Sequence, residues 1–197
     1  MNDYQLRQAL KSKVLARHAK DPDTRIFEEL GLRHGAGRID IAVVNGIIHG
    51  YELKSNKDNL KRLSLQVQIY SSTLDKVTLV VGHRHVAEAE KLIPDWWGIK
   101  LATVGSRGGF KFTEIRRAGI NLLLDPLSVS KLLWRSEALT LLEELGEADE
   151  VRNKARAFIY AHLASIGDPA LIRERVRYQL KFRTDWRPVL PQMSDGG

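Results

Sequence analysis

Apolar and polar residues alternate in two β-branched runs, Ile39 to Val44 and Ile47 to Leu53, and between the runs stands Asn45-Gly46, a strong signal for a tight turn. The pattern predicts a β-hairpin. A two-residue turn would pair Val44 with Ile47 and send Asp40 and Glu52 to opposite faces of the sheet. A three-residue turn with Gly46 left-handed pairs Val43 with Ile47 and Ile39 with Tyr51. One face then collects Ile39, Ile41, Val43, Ile47, His49, Tyr51 and Leu53, and the other carries Asp40, Ala42, Val44, Ile48, Gly50, Glu52 and Lys54. Hydrophobic sorting favours this second register, which also sets Gly50 opposite Asp40.

Outside the hairpin the apolar period changes. A helical spacing runs from about Asp3 to Ala19, and Thr24 to Leu30 reads as a short helix closed by Gly31, followed by a short strand near Leu32 to His34. Beyond the polar segment Ser55 to Asn59, residues Leu60, Leu63, Val67, Tyr70 and Leu74 predict a helix. Lys76 to Gly82 is a continuous apolar run, as in a buried parallel strand; a helix follows from about His85 to Ile93, then a strand from Ile99 to Val104. Ser106 to Gly109 divides the chain into a core, residues 1–104, and an extension, residues 105–197. The extension opens on a possible edge strand, Phe110 to Arg117, and continues as helices at about 126–134, 136–145, 149–165 and 169–182.

Two carboxylates on one strand face, with the Leu53 carbonyl between Glu52 and Lys54, make an oxygen-rich set suited to Mg²⁺ or Mn²⁺. Lys54 would stand beside such an ion and hold or deprotonate an attacking water. Taken alone, a Glu-x-Lys triplet also describes a solvated ion pair, but it is the only acidic-x-Lys triplet in the chain. Glu29 is a further candidate carboxylate, preferred to Glu28 because Ile26, Phe27 and Leu30 would turn toward the core. Arg62, Gln66 and Tyr70 fall one helical turn apart and would present a guanidinium, an amide and a phenol along one stripe, able to grip phosphate oxygens or steady Lys54.

Taken in chain order, Glu29, Asp40, Glu52-x-Lys54 and Gln66-x-x-x-Tyr70 resemble the PD-(D/E)xK nuclease superfamily, in its branch with a Gln-x-x-x-Tyr helix, typical of recombination-type exonucleases and related phage and bacterial enzymes. Within that superfamily the chain is similar to a bacterial and phage family that shares the stretches around Arg38 to Asn45, Gly50 to Ser55, Val77 to Gly82 and Trp96 to Ile99. The resemblance covers roughly residues 24–104, and Ile39 stands where the proline of the motif's name would be. It implies an α/β restriction-endonuclease-like core, a mixed central sheet flanked by helices, with a C-terminal helical subdomain. It also implies that Asp40 and Glu52 bind a divalent metal, that Lys54 assists the water, and that Gln66 and Tyr70 orient their helix toward substrate.

Composition agrees with a polyanionic partner. The 197 residues carry 31 Lys and Arg against 24 Asp and Glu, a net charge of +7, and the last predicted helix is rich in Arg173, Arg175, Arg177, Lys181, Arg183 and Arg187. Arg173, Arg177 and Lys181, with Arg62 and Gln66, are the candidate phosphate contacts; a solvated helix face is the alternative. The absence of cysteine excludes a thiol nucleophile, a thiolate zinc site and a disulfide scaffold. No signal-like or membrane-spanning run is visible, so a cytoplasmic protein without a membrane partner is expected. His83 and His85 are read as capping or surface residues, Trp96 and Trp97 as packing at a sheet edge, and a helix-turn-helix is possible around Glu137 to Leu145 and Val151 onward. The sequence therefore predicts a Mg²⁺- or Mn²⁺-dependent nuclease, most directly a deoxyribonuclease. The alternatives are a catalytically silent nucleic-acid or protein-binding module on the same fold, and a ribonuclease, because such a site reads phosphate rather than sugar.

Overall fold

The computed structural model describes residues 3–183. A six-stranded mixed sheet forms the centre, with strands in sequence order: β1 (Arg25–Leu32), β2 (Gly37–Val44), β3 (Ile48–Lys54), β4 (Lys76–Gly82), β5 (Gly98–Val104) and β6 (Phe110–Arg116). The β3–β4 and β4–β5 pairs are parallel and the others antiparallel. Helix α2 (Leu63–Thr73) connects the first parallel pair, and the short helix α3 (Val86–Leu92) the second.

One sheet face is covered by α1 (Asp3–Lys13), whose Leu6 and Leu10 pack with Leu15 on Ile41, Val43, Tyr51, Leu53, Val80 and Ala102. The other face is deeper. There α2 contributes Leu63, Ile69 and Tyr70, which join Ala42, Val44, Ile48, Val77, Leu79 and Val81. The same apolar cluster continues into α4 (Pro126–Ser130), α5 (Arg135–Glu144), α6 (Arg156–Ile166) and α7 (Pro169–Phe182) through residues such as Val129, Leu142, Ile159, Leu163 and Val176. Asp125 and Asp168 cap α4 and α7, each accepting a backbone N–H from the helix that follows. Thus β6 and the C-terminal helices, which lie beyond residue 104, share one sheet and one core with the residues before it. No helix among the described residues is long and apolar enough to cross a membrane.

Several local expectations change. The segment expected as a helix over Thr24 to Leu30 is strand β1, and the separate strand expected near Leu32 to His34 is a short 3₁₀ segment, Arg33–Gly35. The free edge of β2 decides this: Arg25 to Leu32 completes its ladder, from Arg25 opposite Val44 to Leu32 opposite Gly37, and backbone pairing outweighs the helical preference of Glu28 and Glu29. The hairpin turn has three residues and Gly46 is left-handed (φ 89°), but the loop is Asn45, Gly46 and Ile47, with Val44 opposite Ile48. The strands are shifted by two positions from the expected register, so the parity of the faces survives. Gly50 now lies opposite Ala42, not Asp40. A Cβ there would come within 2.6 Å of the Leu74 side chain and 3.0 Å of Ile39, so this glycine serves close helix-on-sheet packing and not room for an ion.

The helical segments are also shorter than the periodicity implied. Helix α1 ends at Lys13, α2 begins at Leu63, and α6 begins only at Arg156. Residues 145–155 between α5 and α6 are therefore not the tight turn of a helix-turn-helix.

Candidate active site

The chemistry-bearing residues gather where two strands lose their alternation together. On β2, Ile41 and Val43 pack under α1, yet Ile39 joins the opposite cluster beneath α2; on β1, Ile26 faces α1 whereas Leu30 and Leu32 face α2. Both strands change face at the rung of Glu29 and Asp40, and Glu29 adopts a left-handed backbone (φ 57°) to do so. The expected sorting of Ile39 with Ile41 is thereby overturned. A regular strand would give Asp40 a fixed face; the switch instead leaves its carboxylate beside the gap between β2 and β3. The β2–β3 ladder runs from Ile41 opposite Tyr51 to Val44 opposite Ile48, and beyond it the Leu53 N–H donates to Asp40 Oδ2 at 2.7 Å. The N–H and C=O of one strand residue leave the same edge, so the Leu53 carbonyl points into this gap too.

Glu52 reaches the site from the α2 face and is almost fully enclosed (side chain 3% exposed). Its Oε1 accepts from Lys54 Nζ at 2.7 Å and from Gln66 Nε2 at 2.6 Å. Its Oε2 lies 2.9 Å from the Tyr70 hydroxyl, which is also 2.7 Å from the Arg38 carbonyl, so one phenolic proton bridges β2 and β3. Gln66 donates further to the Tyr70 oxygen at 3.2 Å. The four-residue spacing of Gln66 and Tyr70 puts both above Glu52, and Tyr70 stacks on the fully buried Trp97. Trp97 in turn donates to Ser71 and is fully buried in the apolar cluster under α2, deeper than the sheet-edge packing expected of it.

A cleft of about 800 Å³ opens over these groups, lined among others by Glu29, Arg38, Asp40, Glu52, Leu53, Lys54, Arg62, Gln66 and Tyr70. Every candidate catalytic or metal-binding residue is therefore at one place. Arg62, just before α2, is exposed at its edge. Glu28 does not line the cleft; it pairs with Lys11 and lies 3.9 Å from Arg7. The candidate contacts Arg173, Arg177 and Lys181 on α7 do not line the cleft: the Lys181 carbonyl accepts from Arg25, and its ammonium lies 3.5 Å from Asp23. Arg187 is outside the described residues. His83 is not part of the cleft, and His85 is buried at the start of α3 rather than on the surface.

The residue that sequence reading missed is Arg7. Its guanidinium, held on α1 with the side chain 11% exposed, lies 3.1 Å from Asp40, 2.5 Å from Glu29 and 3.2 Å from Asp3. Only the Asp3-x-x-x-Arg7 spacing was visible in the chain; nothing in it foretold that α1 would cross the sheet at Asp40. Burial works against the Arg7 charge, but the hydrogen bond to Glu29 and the charges of Asp40, Glu29 and Asp3 outweigh it and raise its pKa. Glu29 is shared between Arg7 and Arg38. Among the described residues no three acidic or histidine side chains converge as a metal cluster; Glu29 lines the same cleft as Asp40, Glu52 and Leu53, with its carboxylate paired to Arg7 and Arg38.

That set fits a hard divalent cation on its own chemistry. Asp40, Glu52 and Leu53 line one cleft, and Gln66, in the same lining, has a buried Oε1 with no hydrogen-bond partner among the described residues. Without a cation the arrangement is costly: burial, and after it the charge of Glu52, pushes the Asp40 carboxyl up to about 8. The ion-free fold thus takes a proton at Asp40 more readily than an unfolded Asp, with a pKa near ~3.9, does, and stability falls as pH rises above that ordinary value, while Arg7 and the Leu53 N–H hold the carboxylate where it is ionised. Half-buried His49 and surface His34, whose pKa values drop to about 3 and about 4 chiefly through desolvation, act in the opposite sense only below their ordinary value near ~6.5. In EDTA the melting temperature should therefore fall from pH 6.5 to 8 at a slope that Asp40→Asn removes. Equal slopes in the two proteins would mean that Asp40 titrates normally.

Comparison with known proteins adds a lineage. Protein cII of Enterobacteria phage P4 is 28% identical over 124 residues, which span 63% of this chain but 47% of that protein, so the chain covers about half the length of the curated relative. A solved structure, a protein of unknown function from Silicibacter pomeroyi, superposes with a TM-score of 0.44 at 20% identity, covering 78% of this chain and 97% of that one. The sequence profile described as Bacteriophage P4 protein cII matches residues 2–187, and the chain belongs to that family.

Proposed function

We propose that this protein is a metal-dependent nuclease of restriction-endonuclease-like type that hydrolyses phosphodiester bonds in DNA, with Mg²⁺ or Mn²⁺ as cofactor. The observation that carries the reading is that Asp40, Glu52 and Leu53 line one cleft, with Lys54 Nζ 2.7 Å from Glu52 and Arg38 and Arg62 in the same lining. Asp40 and Glu52 would hold a divalent ion, which when bound would supply Lewis acidity toward the scissile phosphate and an activated water. The chain's own groups do the rest. Lys54 orients the water through its ammonium and supports charge that develops on the phosphate. Gln66 and Tyr70 fix the Glu52 rotamer, because each holds one of its oxygens. Arg38 and Arg62 meet the flanking phosphates at the cleft wall.

The direct test incubates the full chain with labelled single-stranded, duplex and branched DNA, beside RNA, in Mn²⁺ or Mg²⁺ and again in EDTA. Cleavage of DNA that EDTA stops supports the reading; binding without cleavage in either metal would make the protein a binding module on this fold, and cleavage of RNA alone a ribonuclease.

A second contact region is open to measurement on α7. Arg175 and Arg183 are engaged with Glu144 and Glu137, but no ion-pair partner of Arg173 or Arg177 exists among the described residues. If these two arginines contact phosphate, the double change Arg173→Ala with Arg177→Ala lowers the salt slope of duplex binding by about two units, at roughly 0.9 per contact, and weakens all sequences alike. An unchanged slope returns α7 to a purely structural role.

A further inference from the structure

The cation beside Asp40 belongs to the chain itself. Arg7 Nη2 sits 3.1 Å from Asp40 Oδ1, and Asp40 Oδ2 is already taken by the Leu53 N–H, so neither oxygen of this carboxylate is idle. On the other side Lys54 and Gln66 share Glu52 Oε1, and Tyr70 faces Oε2. The two carboxylates are thus compensated from opposite directions, Asp40 by α1 and Glu52 by β3 and α2. A divalent ion bound at Asp40 Oδ1 would stand within a few ångströms of the guanidinium, and like charges that close repel strongly in an enclosed cleft. The guanidinium has a second home. Arg7 also reaches Glu29 and Asp3, both on the cleft wall and both farther from the β2–β3 gap, so it can give up Asp40 without losing its charge partners.

We propose that Arg7 is the internal counter-ion of the ion-free site, exchanged at Asp40 for the divalent cation and moved onto Glu29 and Asp3 when that cation binds. The inference rests on the metal-dependent reading above. Arg7 is then a positioning residue with two consequences. It stabilises Asp40 in the ion-free protein and it lowers the site's affinity for metal, because binding must break a charge-assisted hydrogen bond. Helix α1, fixed to the sheet by Leu6 and Leu10, is the element that delivers this competitor.

The test is a Mn²⁺ titration of the full, EDTA-stripped chain followed by the electron-paramagnetic-resonance signal of free Mn²⁺. Arg7→Met should bind Mn²⁺ about tenfold or more tightly than wild type, the factor that loss of a competing charge-assisted hydrogen bond implies. Arg7→Lys, which keeps the charge, should stay close to wild type. Binding to wild type that Asp40→Asn abolishes but Arg7→Met leaves unchanged overturns the role of Arg7 and spares the metal site. No Mn²⁺ binding to wild type or to Arg7→Met overturns both. A second readout needs no altered Arg7: on adding Mg²⁺ to wild type, the Arg7 Nε–H resonance should shift together with the Leu53 amide. A Leu53 shift with the Arg7 resonance unmoved also sinks the exchange.

Discussion

Replacing Asp40 by Asn, or Glu52 by Gln, should reduce DNA cleavage by ~10³-fold or more while leaving the protein folded, since several kcal/mol of charge stabilisation disappear with one carboxylate. The fold should tolerate both changes. In Asp40→Asn the new amide retains an oxygen for the Leu53 N–H. In Glu52→Gln the new side chain retains an acceptor for Lys54 and offers its NH₂ to the Tyr70 oxygen, and in Asp40→Asn the NH₂ turned toward Arg7 meets a guanidinium that still holds Glu29 and Asp3. Removing one of two buried like charges also relieves repulsion, which makes the ion-free variants at least as stable as wild type at pH 8. Melting curves in EDTA taken beside cleavage rates decide the matter. Cleavage that persists in Asp40→Asn at more than a tenth of the wild-type rate would place the chemistry elsewhere, and a large fall in melting temperature would show that Asp40 serves the fold first.

Lys54→Ala should behave differently. Its ammonium touches Glu52 and no other acidic group among the described residues, and its side chain is only 10% exposed, so it contributes little long-range attraction for nucleic acid. An interaction that strengthens mainly as charge develops on the phosphate appears in turnover and not in binding. The expected result is a fall in kcat of about 10²–10⁴-fold, in the range for general acid–base or electrostatic groups, with DNA affinity in the absence of turnover changed less than about threefold. Arg62→Ala should show the reverse split, because the Arg62 side chain is exposed at the cleft edge and makes no ion pair or side-chain hydrogen bond among the described residues. Parallel losses of affinity and turnover in Lys54→Ala would make Lys54 a substrate-binding residue.

The local chemistry was legible in the chain because it depends on short-range geometry. The Asn45-Gly46 turn, the period-two alternation of β3, and the four-residue step from Gln66 to Tyr70 are properties of neighbouring residues, and together they brought Glu52, Lys54, Gln66 and Tyr70 into one cleft. The continuous apolar run of β4 and the Asp-Pro starts of α4 and α7 were readable for the same reason. Three features were decided only by tertiary structure. Residues 25–32 became a strand because β2 offered an unpaired edge whose N–H and C=O groups needed partners, and that demand, set by a distant segment, overrode local helical preference. The face switch at Glu29 and Asp40 could not be read from alternation, since the pattern assumes regular strands and the left-handed Glu29 breaks it on both strands at once. Arg7 entered the site because Leu6 and Leu10 seat α1 across the sheet at that rung, a packing relation between residues more than thirty positions apart that no local period encodes.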